Sequence, residues 1–175
     1  MPIVKLSQQI NPHFYAAWNS NKPYQVYKGG RGSFKSSVIS FKLVTTMMKY
    51  IAQGKTVNII CVRENQRYLR DSVYNQILWA MNKLHVESEF RTRVSPLTIT
   101  HIRTGSTFYF YGANDPMKLK SNIVGNVIAV WFNIMDHTIK NSFNSVKLLA
   151  KSWQTTPSEA FILIDLLIFT TPKII

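Results

Sequence analysis

Residues 29–37 read GGRGSFKSS and lie between a short β-like run at residues 24–28 and a helical pattern of apolar residues at 38–51. Glycines let a backbone turn with its N–H groups facing inward, and those groups, with the N-terminus of the following helix, can cradle phosphate oxygens. In such a loop the lysine, here Lys35, reaches the β- and γ-phosphates, and the next hydroxyl, on Ser36, holds Mg²⁺. The strand–loop–helix order therefore predicts a phosphate-binding loop (P-loop) for ATP and Mg²⁺. The predicted binding residues are Gly29, Gly30, Arg31, Gly32, Ser33, Phe34, Lys35, Ser36 and Ser37.

Phe34 departs from the usual pattern, in which glycine stands directly before the lysine. Glycine is favoured there because the backbone passes close to phosphate or adopts an unusual angle. A phenylalanine can point outward and leave the loop intact if its φ is negative. The alternative is a glycine-rich turn that binds nothing.

The apolar patterns that follow the loop alternate between strand and helix type. Residues 57–62 (VNIICV) are typical of a strand buried on both faces, and residues 68–84 carry a helical period. Two β-rich runs at 97–102 and 107–111 flank a Thr-Gly-Ser turn and predict a hairpin or a β-meander, and residues 127–132 (VIAVWF) predict another strand. This order predicts an α/β fold, a three-layer P-loop NTPase sheet of mostly parallel strands with an antiparallel hairpin and helices on both faces.

The composition excludes several classes of protein. With 46% hydrophobic and 17% charged residues, the 175-residue chain has enough apolar matter for a core and too much for a disordered chain. No apolar run reaches the roughly 18 residues of a membrane span, and the start has no long apolar segment, so we expect no membrane partner and no signal peptide. The single cysteine, Cys61, excludes an internal disulfide, and with only four scattered histidines beside it the sequence disfavours a structural zinc site. Cys61 lies inside a predicted strand, which favours a buried thiol over a nucleophile.

Charge gives the first indication of a partner. The chain has 21 Lys and Arg residues against 8 Asp and Glu residues, a formal net charge of +13. Such an excess attracts polyanions through long-range electrostatics and the release of their counterions. Contact with nucleic acid or nucleotide is the favoured interpretation, and a basic protein that needs neither is the alternative.

The loop resembles the Walker A motif of phage terminase large subunits, and further matches to that family follow in the family's order over residues 24–132. They are Val62-Arg63, LRDSVY at 69–74, PLTI at 96–99, TGS at 104–106, FYG at 110–112, KLKS at 118–121 and IAVWF at 128–132. The resemblance implies an ATPase domain that drives double-stranded DNA into an empty procapsid. It implies as partners a small terminase subunit, the portal protein and further copies of the motor, in the cytoplasm of the bacterial host. Arg31 matches the family's loop arginine, which is implied to sense or stabilise the γ-phosphate, although Arg31 could instead add only to a basic surface.

The resemblance divides the chain into a lead-in at 1–22, an ATPase core at 23–132 and a divergent segment at 133–175, without a nuclease domain. The family carries an acidic pair directly after the strand that matches 127–132, and this chain has Asn133 and Ile134 there. Asp136, close to the strand end but shifted in register, is the candidate catalytic acid beside Lys35 and Arg31.

Other acids and bases leave alternatives open. Asp165 follows four apolar residues, which resembles a Walker B strand, yet for the acids after Glu89 a surface or capping role is the plainer interpretation. Lys118 and Lys120 either meet phosphates or form a solvated basic loop, and Tyr24 and Gln25 could pack near the adenine.

The loss of the acidic pair suggests three interpretations of function. One is an ATPase motor domain that is or was active, and the second is a non-hydrolysing nucleotide- or DNA-binding remnant. A helicase or small-molecule kinase is the third, which the matches after the loop disfavour. The abrupt change near residue 133 suggests a truncated or interrupted terminase gene, unless residues 167–172 imitate the family's coupling strand.

Overall fold

A computed structural model describes residues 5–113, 124–135 and 161–167. The described residues form one seven-stranded sheet with the order β1-β7-β6-β2-β5-β4-β3. The strands are β1 Tyr24–Gly29, β2 Asn58–Arg63, β3 Phe90–Val94, β4 Leu97–His101, β5 Thr107–Gly112, β6 Val127–Met135 and β7 Phe161–Leu167. The α-helices are α1 Leu6–Gln9, α2 Tyr15–Trp18, α3 Lys35–Ala52 and α4 Asn75–Lys83, with 3-10 turns at Pro12–Phe14, Gln66–Tyr68 and Glu87–Glu89 and a π-helical turn at Arg70–Tyr74.

The pairing confirms the predicted fold class. Strands β1, β7, β6, β2 and β5 are parallel neighbours, whereas β3, β4 and β5 pair antiparallel. The predicted hairpin is the pair of β4 and β5. Strand β3 was not predicted from the sequence, because Phe90 is the one buried residue of its five and an apolar pattern is therefore absent.

The sheet buries both of its faces in its central part, because successive side chains of a strand point to opposite sides. The first face packs against α3 and α4, and its core includes Ile39, Phe41, Ile59, Cys61, Ile77, Phe108, Trp131 and Leu163. The second face buries Ile60, Val62, Val127, Val130, Phe132, Ile162 and Ile164. A helix over this second face is not among the elements that the structure describes. Cys61 is fully buried, and burial raises the pKa of its thiol, as expected for a core residue.

The predicted helix at residues 68–84 divides into three pieces. A 3-10 turn leads into a π-helical turn, in which the amide of Tyr74 donates to the carbonyl of Leu69 at 3.1 Å, and α4 follows. The wider turn lets the consecutive residues Val73 and Tyr74 both enter the core, with 1% and 5% exposure.

The lead-in segment docks onto α3 through Lys42. Its ammonium group donates to the carbonyl oxygens of Ala17 and Ser20 at 2.9 Å each and to Gln25 Oε1 at 3.0 Å. Burial lowers the pKa of Lys42 to about 8. Gln25 therefore serves this junction, while Tyr24 is 61% exposed, and neither lines the cleft described below.

No helix in the described ranges is both long enough and apolar enough to cross a membrane.

Candidate functional site: a cleft at the carboxyl edge of the sheet

The glycine-rich loop joins the end of β1 to the start of α3. Two of its residues adopt left-handed backbone, Gly32 with φ +75° and Phe34 with φ +63° and ψ 12°. The condition that Phe34 has a negative φ is not met, because the chain enters α3 through a left-handed residue at the position where the usual pattern has glycine. The outward direction of the side chain is confirmed, since Phe34 is 63% exposed.

The Lys35 side chain folds back into the loop and forms hydrogen bonds with it. Its ammonium group, 5% exposed, donates to the carbonyl oxygens of Gly29 at 2.9 Å and Gly30 at 3.1 Å and to Ser33 Oγ at 3.1 Å. A Cβ on Gly29 would lie 3.1 Å from Ser33 Oγ, so glycine keeps this turn tight. The loop therefore wraps around one buried positive charge.

A carboxylate lies beside the first turn of α3. Ser36 Oγ donates to Asp165 Oδ2 at 2.5 Å, and Asn133 Nδ2 donates to the same oxygen at 3.0 Å. Lys35 Nζ lies 3.8 Å from the other oxygen, Asp165 Oδ1. Asp165 is 2% exposed, so the interpretation of this residue as a surface or capping acid is wrong.

Burial and hydrogen bonding act on Asp165 in opposite directions. Burial raises the pKa of the Asp165 carboxyl, because an ionised group loses its hydration there. The hydrogen bond from Ser36 and the positive charge of Lys35 lower that pKa, and Asn133 and Arg63 contribute in the same sense. Burial is the larger effect, so the pKa of the Asp165 carboxyl lies above its usual value, although four neighbouring groups favour its charged form.

These groups surround a cleft of about 340 Å³. Its lining comprises Gly30, Arg31, Gly32, Ser33, Phe34, Lys35, Ser36, Ser37, Arg63, Gln76, Asn133 and Asp165. Arg63 is the last residue of β2, and burial lowers the pKa of its guanidinium. The central carbon of that guanidinium lies 5.9 Å from the ring centre of Tyr68. Gln76 comes from α4 and donates to Ser37 Oγ at 3.4 Å.

Eight of the nine predicted binding residues line the cleft. The ninth, Gly29, accepts a hydrogen bond from Lys35 Nζ through its carbonyl oxygen. Arg31 is exposed at the mouth. Asp136, with Lys118 and Lys120, lies outside the described residues, so its catalytic role stays a prediction. Arg63 and Gln76 were not predicted from the sequence, and Asn133 was identified only as the residue at the family's acidic position, where an asparagine could still contact a hydrated metal. The signal for Arg63 and Asn133 is their position at the carboxyl ends of predicted parallel strands, and Gln76 carries no such signal.

The chemistry of these groups fits a triphosphate with a divalent cation. Backbone amides at a glycine-rich turn and a lysine suit phosphate, and a hydroxyl beside a carboxylate supplies the oxygen ligands that Mg²⁺ prefers. Histidine, cysteine and acidic residues form no cluster of three anywhere in the described ranges, so a metal held by protein ligands alone has no support there.

The fold, with this loop at its carboxyl edge, defines a P-loop-type α/β protein. A family model described as phage terminase large subunit matches residues 21–158, and the chain belongs to that family. The matched range runs past residue 132, where the motif resemblance ends. The predicted division into 1–22, 23–132 and 133–175 stays a prediction, although β7 lies in the same sheet as the core strands.

A relative agrees with this family, and two solved structures share the fold. The large subunit of the terminase of Bacillus phage SPP1 is 33% identical over 125 residues, which cover 69% of this chain and 28% of the SPP1 protein. The large terminase of a thermophilic bacteriophage has 18% identity and a TM-score of 0.59, over 83% of this chain and 34% of that one. The bacteriophage Phi-29 genome packaging motor assembly has 16% identity and a TM-score of 0.61, over 94% of this chain and 49% of that one. The chain thus spans under a third of the SPP1 protein, and the two structures show the fold.

Proposed function

We propose that this chain is the ATP-binding motor domain of a phage terminase large subunit, which couples ATP hydrolysis to the packaging of double-stranded DNA into a procapsid. The observation that carries the proposal is the loop closed around Lys35, with Ser36 and Asp165 beside it. The large terminase of the thermophilic bacteriophage has been solved in complex with ADP, and the Phi-29 structure is a packaging motor assembly. Partners would be the DNA, a small terminase subunit, the portal protein and further copies of the motor, in the cytoplasm of the bacterial host.

Each group of the loop has a distinct task. The amides of residues 30–36 and the N-terminus of α3 bind phosphate oxygens, and Lys35 exchanges its carbonyl partners for the β- and γ-phosphates. Ser36 provides a hydroxyl ligand to Mg²⁺, which when bound neutralises charge on the phosphates. Arg31, which is exposed on the cleft lining, would contact the γ-phosphate of a bound nucleotide.

A non-hydrolysing nucleotide-binding domain is the second candidate. Hydrolysis needs a group that orients the attacking water, commonly a carboxylate. Among the described residues that line the cleft, Asp165 is the one acid, and it is bonded to Ser36. Asn133 is an amide and Ile134 is apolar, which favours binding over turnover unless Asp136 supplies the missing base.

Replacing Lys35 by alanine tests the binding role. We expect MgATP affinity, measured by isothermal titration calorimetry, to fall about 10- to 100-fold, because charged hydrogen bonds to phosphate are lost. Lys28→Ala, an exposed lysine of β1, is the control and should bind as the parent does. Unchanged affinity of Lys35→Ala would refute the role of the loop. A phosphate-release assay on the parent chain separates the two candidates, since binding without release supports the second.

A further inference from the structure

We infer that Asp165 is the carboxylate that supports Mg²⁺ in this chain, supplied from β7 in place of the acidic pair that the resemblance puts after β6. This rests on the proposed nucleotide-binding function. The register pairs Asn133 of β6 with Asp165 of β7 and Tyr27 of β1 with Asp165. Asp165 therefore lies on the strand next to β1, one strand nearer to the loop than the position that Asn133 occupies.

The surroundings of Asp165 indicate a ligand site and not chance burial. An ionised carboxylate that is 2% exposed is costly unless charged and hydrogen-bonding groups surround it. Three of the four groups that stabilise its charge, Ser36, Lys35 and Arg63, line the same cleft. The fourth, Asn133, donates its amide hydrogen to the carboxylate, so the neutral residue at the family's acidic position supports the acid on the neighbouring strand.

The alternative is a clamp that holds the start of α3 against β7 without touching a metal. The two roles differ in one measurable respect. A clamp changes ATP affinity equally with and without Mg²⁺, because it acts on the shape of the loop. A metal ligand changes only the part of the affinity that depends on Mg²⁺.

The test compares ATP affinity in Mg²⁺ with ATP affinity in EDTA for Asp165→Asn, by titration calorimetry. We expect Mg²⁺ to strengthen ATP binding by the parent chain at least about tenfold more than it strengthens binding by the variant. Asp71→Asn, at an exposed acid outside the cleft, is the control and should keep the parent's ratio. Asp136→Asn is measured beside it, because Asp136 is the competing candidate acid. An unchanged ratio in Asp165→Asn, or a ratio lost in Asp136→Asn alone, overturns the assignment. Absence of ATP binding to the parent in EDTA and in Mg²⁺ would instead refute the proposed function.

A measurement on the parent chain covers the case in which Asp165→Asn does not fold. Fe²⁺ replaces Mg²⁺ in the presence of ATP, and added hydrogen peroxide oxidises the iron and is reduced to hydroxyl radicals, which cut the nearby backbone. Added ascorbate returns the iron to Fe²⁺. We expect cuts close to residues 36 and 165, mapped by mass spectrometry. Cuts near residue 36 without cuts near 165 overturn the assignment.

A different observation supports a second site, at the far edge of the sheet. We propose that the second face of β3–β5 binds the phosphate backbone of duplex DNA. The register aligns Arg93, Thr98 and Tyr109 in one row across the three strands and Arg91, Thr100 and Thr107 in the next. Residues directly opposite share a face, so both arginines lie on the side opposite the core residues Phe90 and Ile99.

Charge and exposure make this face suited to a polyanion. Arg91 and Arg93 are exposed and, among the described residues, form no ion pair. Residues 90–112 contain three arginines and no acid. Arginine and threonine are side chains that contact DNA phosphates, and contacts of this kind position a duplex without reading its bases.

The aromatic residues favour duplex over single-stranded DNA. Single strands bind on exposed aromatic faces on which bases stack. Tyr109 is half-buried, its ring lies parallel to that of Tyr111 with centres 6.3 Å apart, and both pack on the core of the second face. This face therefore presents two exposed arginines and the half-buried Thr98 and Thr100 to the DNA backbone, and no stacking platform. Thr107 is buried and donates to the carbonyl oxygen of Gly105 at 2.8 Å, so it takes no part in the contact.

The test measures duplex binding by fluorescence anisotropy over a range of salt for Arg91→Glu/Arg93→Glu. We expect at least about a tenfold loss of affinity and a fall of about 2 in the slope of log affinity against log salt. Lys49→Glu/Lys83→Glu makes the same charge change at exposed sites on α3 and α4 and should lose less. An equal loss in the two variants, tighter binding of single strands, or a parent chain that binds no duplex overturns the proposal. ATP affinity should be the same in both variants, which keeps this test separate from that of the cleft.

Discussion

At the scale of a residue, Phe34 has a left-handed backbone conformation, which favours glycine. Its side chain is mostly exposed, so burial of the ring does little to offset the cost of that conformation. Left-handed backbone costs a residue with a Cβ roughly 1–2 kcal/mol, and the Phe34 side chain is 63% exposed. The loop tolerates this cost because its neighbours are fixed by the Lys35 hydrogen bonds and by α3.

Replacing Phe34 by glycine should therefore stabilise the folded chain. We expect a gain of about 0.5–1 kcal/mol in the free energy of unfolding, since part of the relieved strain is offset by the greater freedom of glycine in the unfolded chain. Urea denaturation measures the change. Phe34→Ala removes the same ring but keeps the Cβ, so it should show no such gain. Equal stability of the two variants would contradict the strain.

The residues of the site differ in how far they could be predicted from the sequence. The nine predicted loop residues are contiguous, and a local strand–turn–helix pattern is enough to identify them. Asp165 reaches Ser36 across 129 positions of sequence, and that approach depends on which strand lies beside β1. A run of four apolar residues before an aspartate is too common to decide between a buried ligand and a surface acid.

At the scale of an element, β7 connects the two parts of the parallel sheet. It lies between β1, which carries the loop, and β6, and it pairs with both along its length. Strand patterns in the sequence identify the runs that become strands, but they do not give the order in a sheet, because long connections separate parallel neighbours. The short run at 161–164 therefore could not be placed beside the loop before the structure was known.

Shortening a central side chain of β7 should destabilise the whole sheet. Leu163 is fully buried in the main core, and we expect Leu163→Ala to cost about 2–5 kcal/mol in urea or thermal unfolding. Val26→Ala provides a control on the neighbouring strand β1, since Val26 is 55% exposed and its loss should change stability by about 0.5 kcal/mol or less. A loss at Leu163 no larger than that at Val26 would mean that β7 does not pack as described.

At the scale of the whole molecule, the alternation of apolar strands and helices made the fold class predictable, and collinear motifs made the family predictable. Edge strand β3 was missed because it buries one residue of five. The net charge of +13 pointed to a polyanion without a location. The strand register aligns arginines and threonines of β3, β4 and β5 on one face, which gives the proposed DNA site its location. The order of the strands brings the Asp165 carboxylate to the Ser36 hydroxyl, which gives the proposed Mg²⁺ site its location.

The position of β7 also sets an order of events during synthesis on the ribosome. Residues 24–135 emerge well before residues 161–167, yet β1 has β7 as its strand partner in the described sheet. Until that late segment emerges, a nascent chain has its glycine-rich turn beside an unpaired strand and lacks the acid that faces Ser36. Translation thus completes the cleft after the rest of the sheet, and a ribosome stalled before residue 161 would carry a chain that cannot yet assemble it.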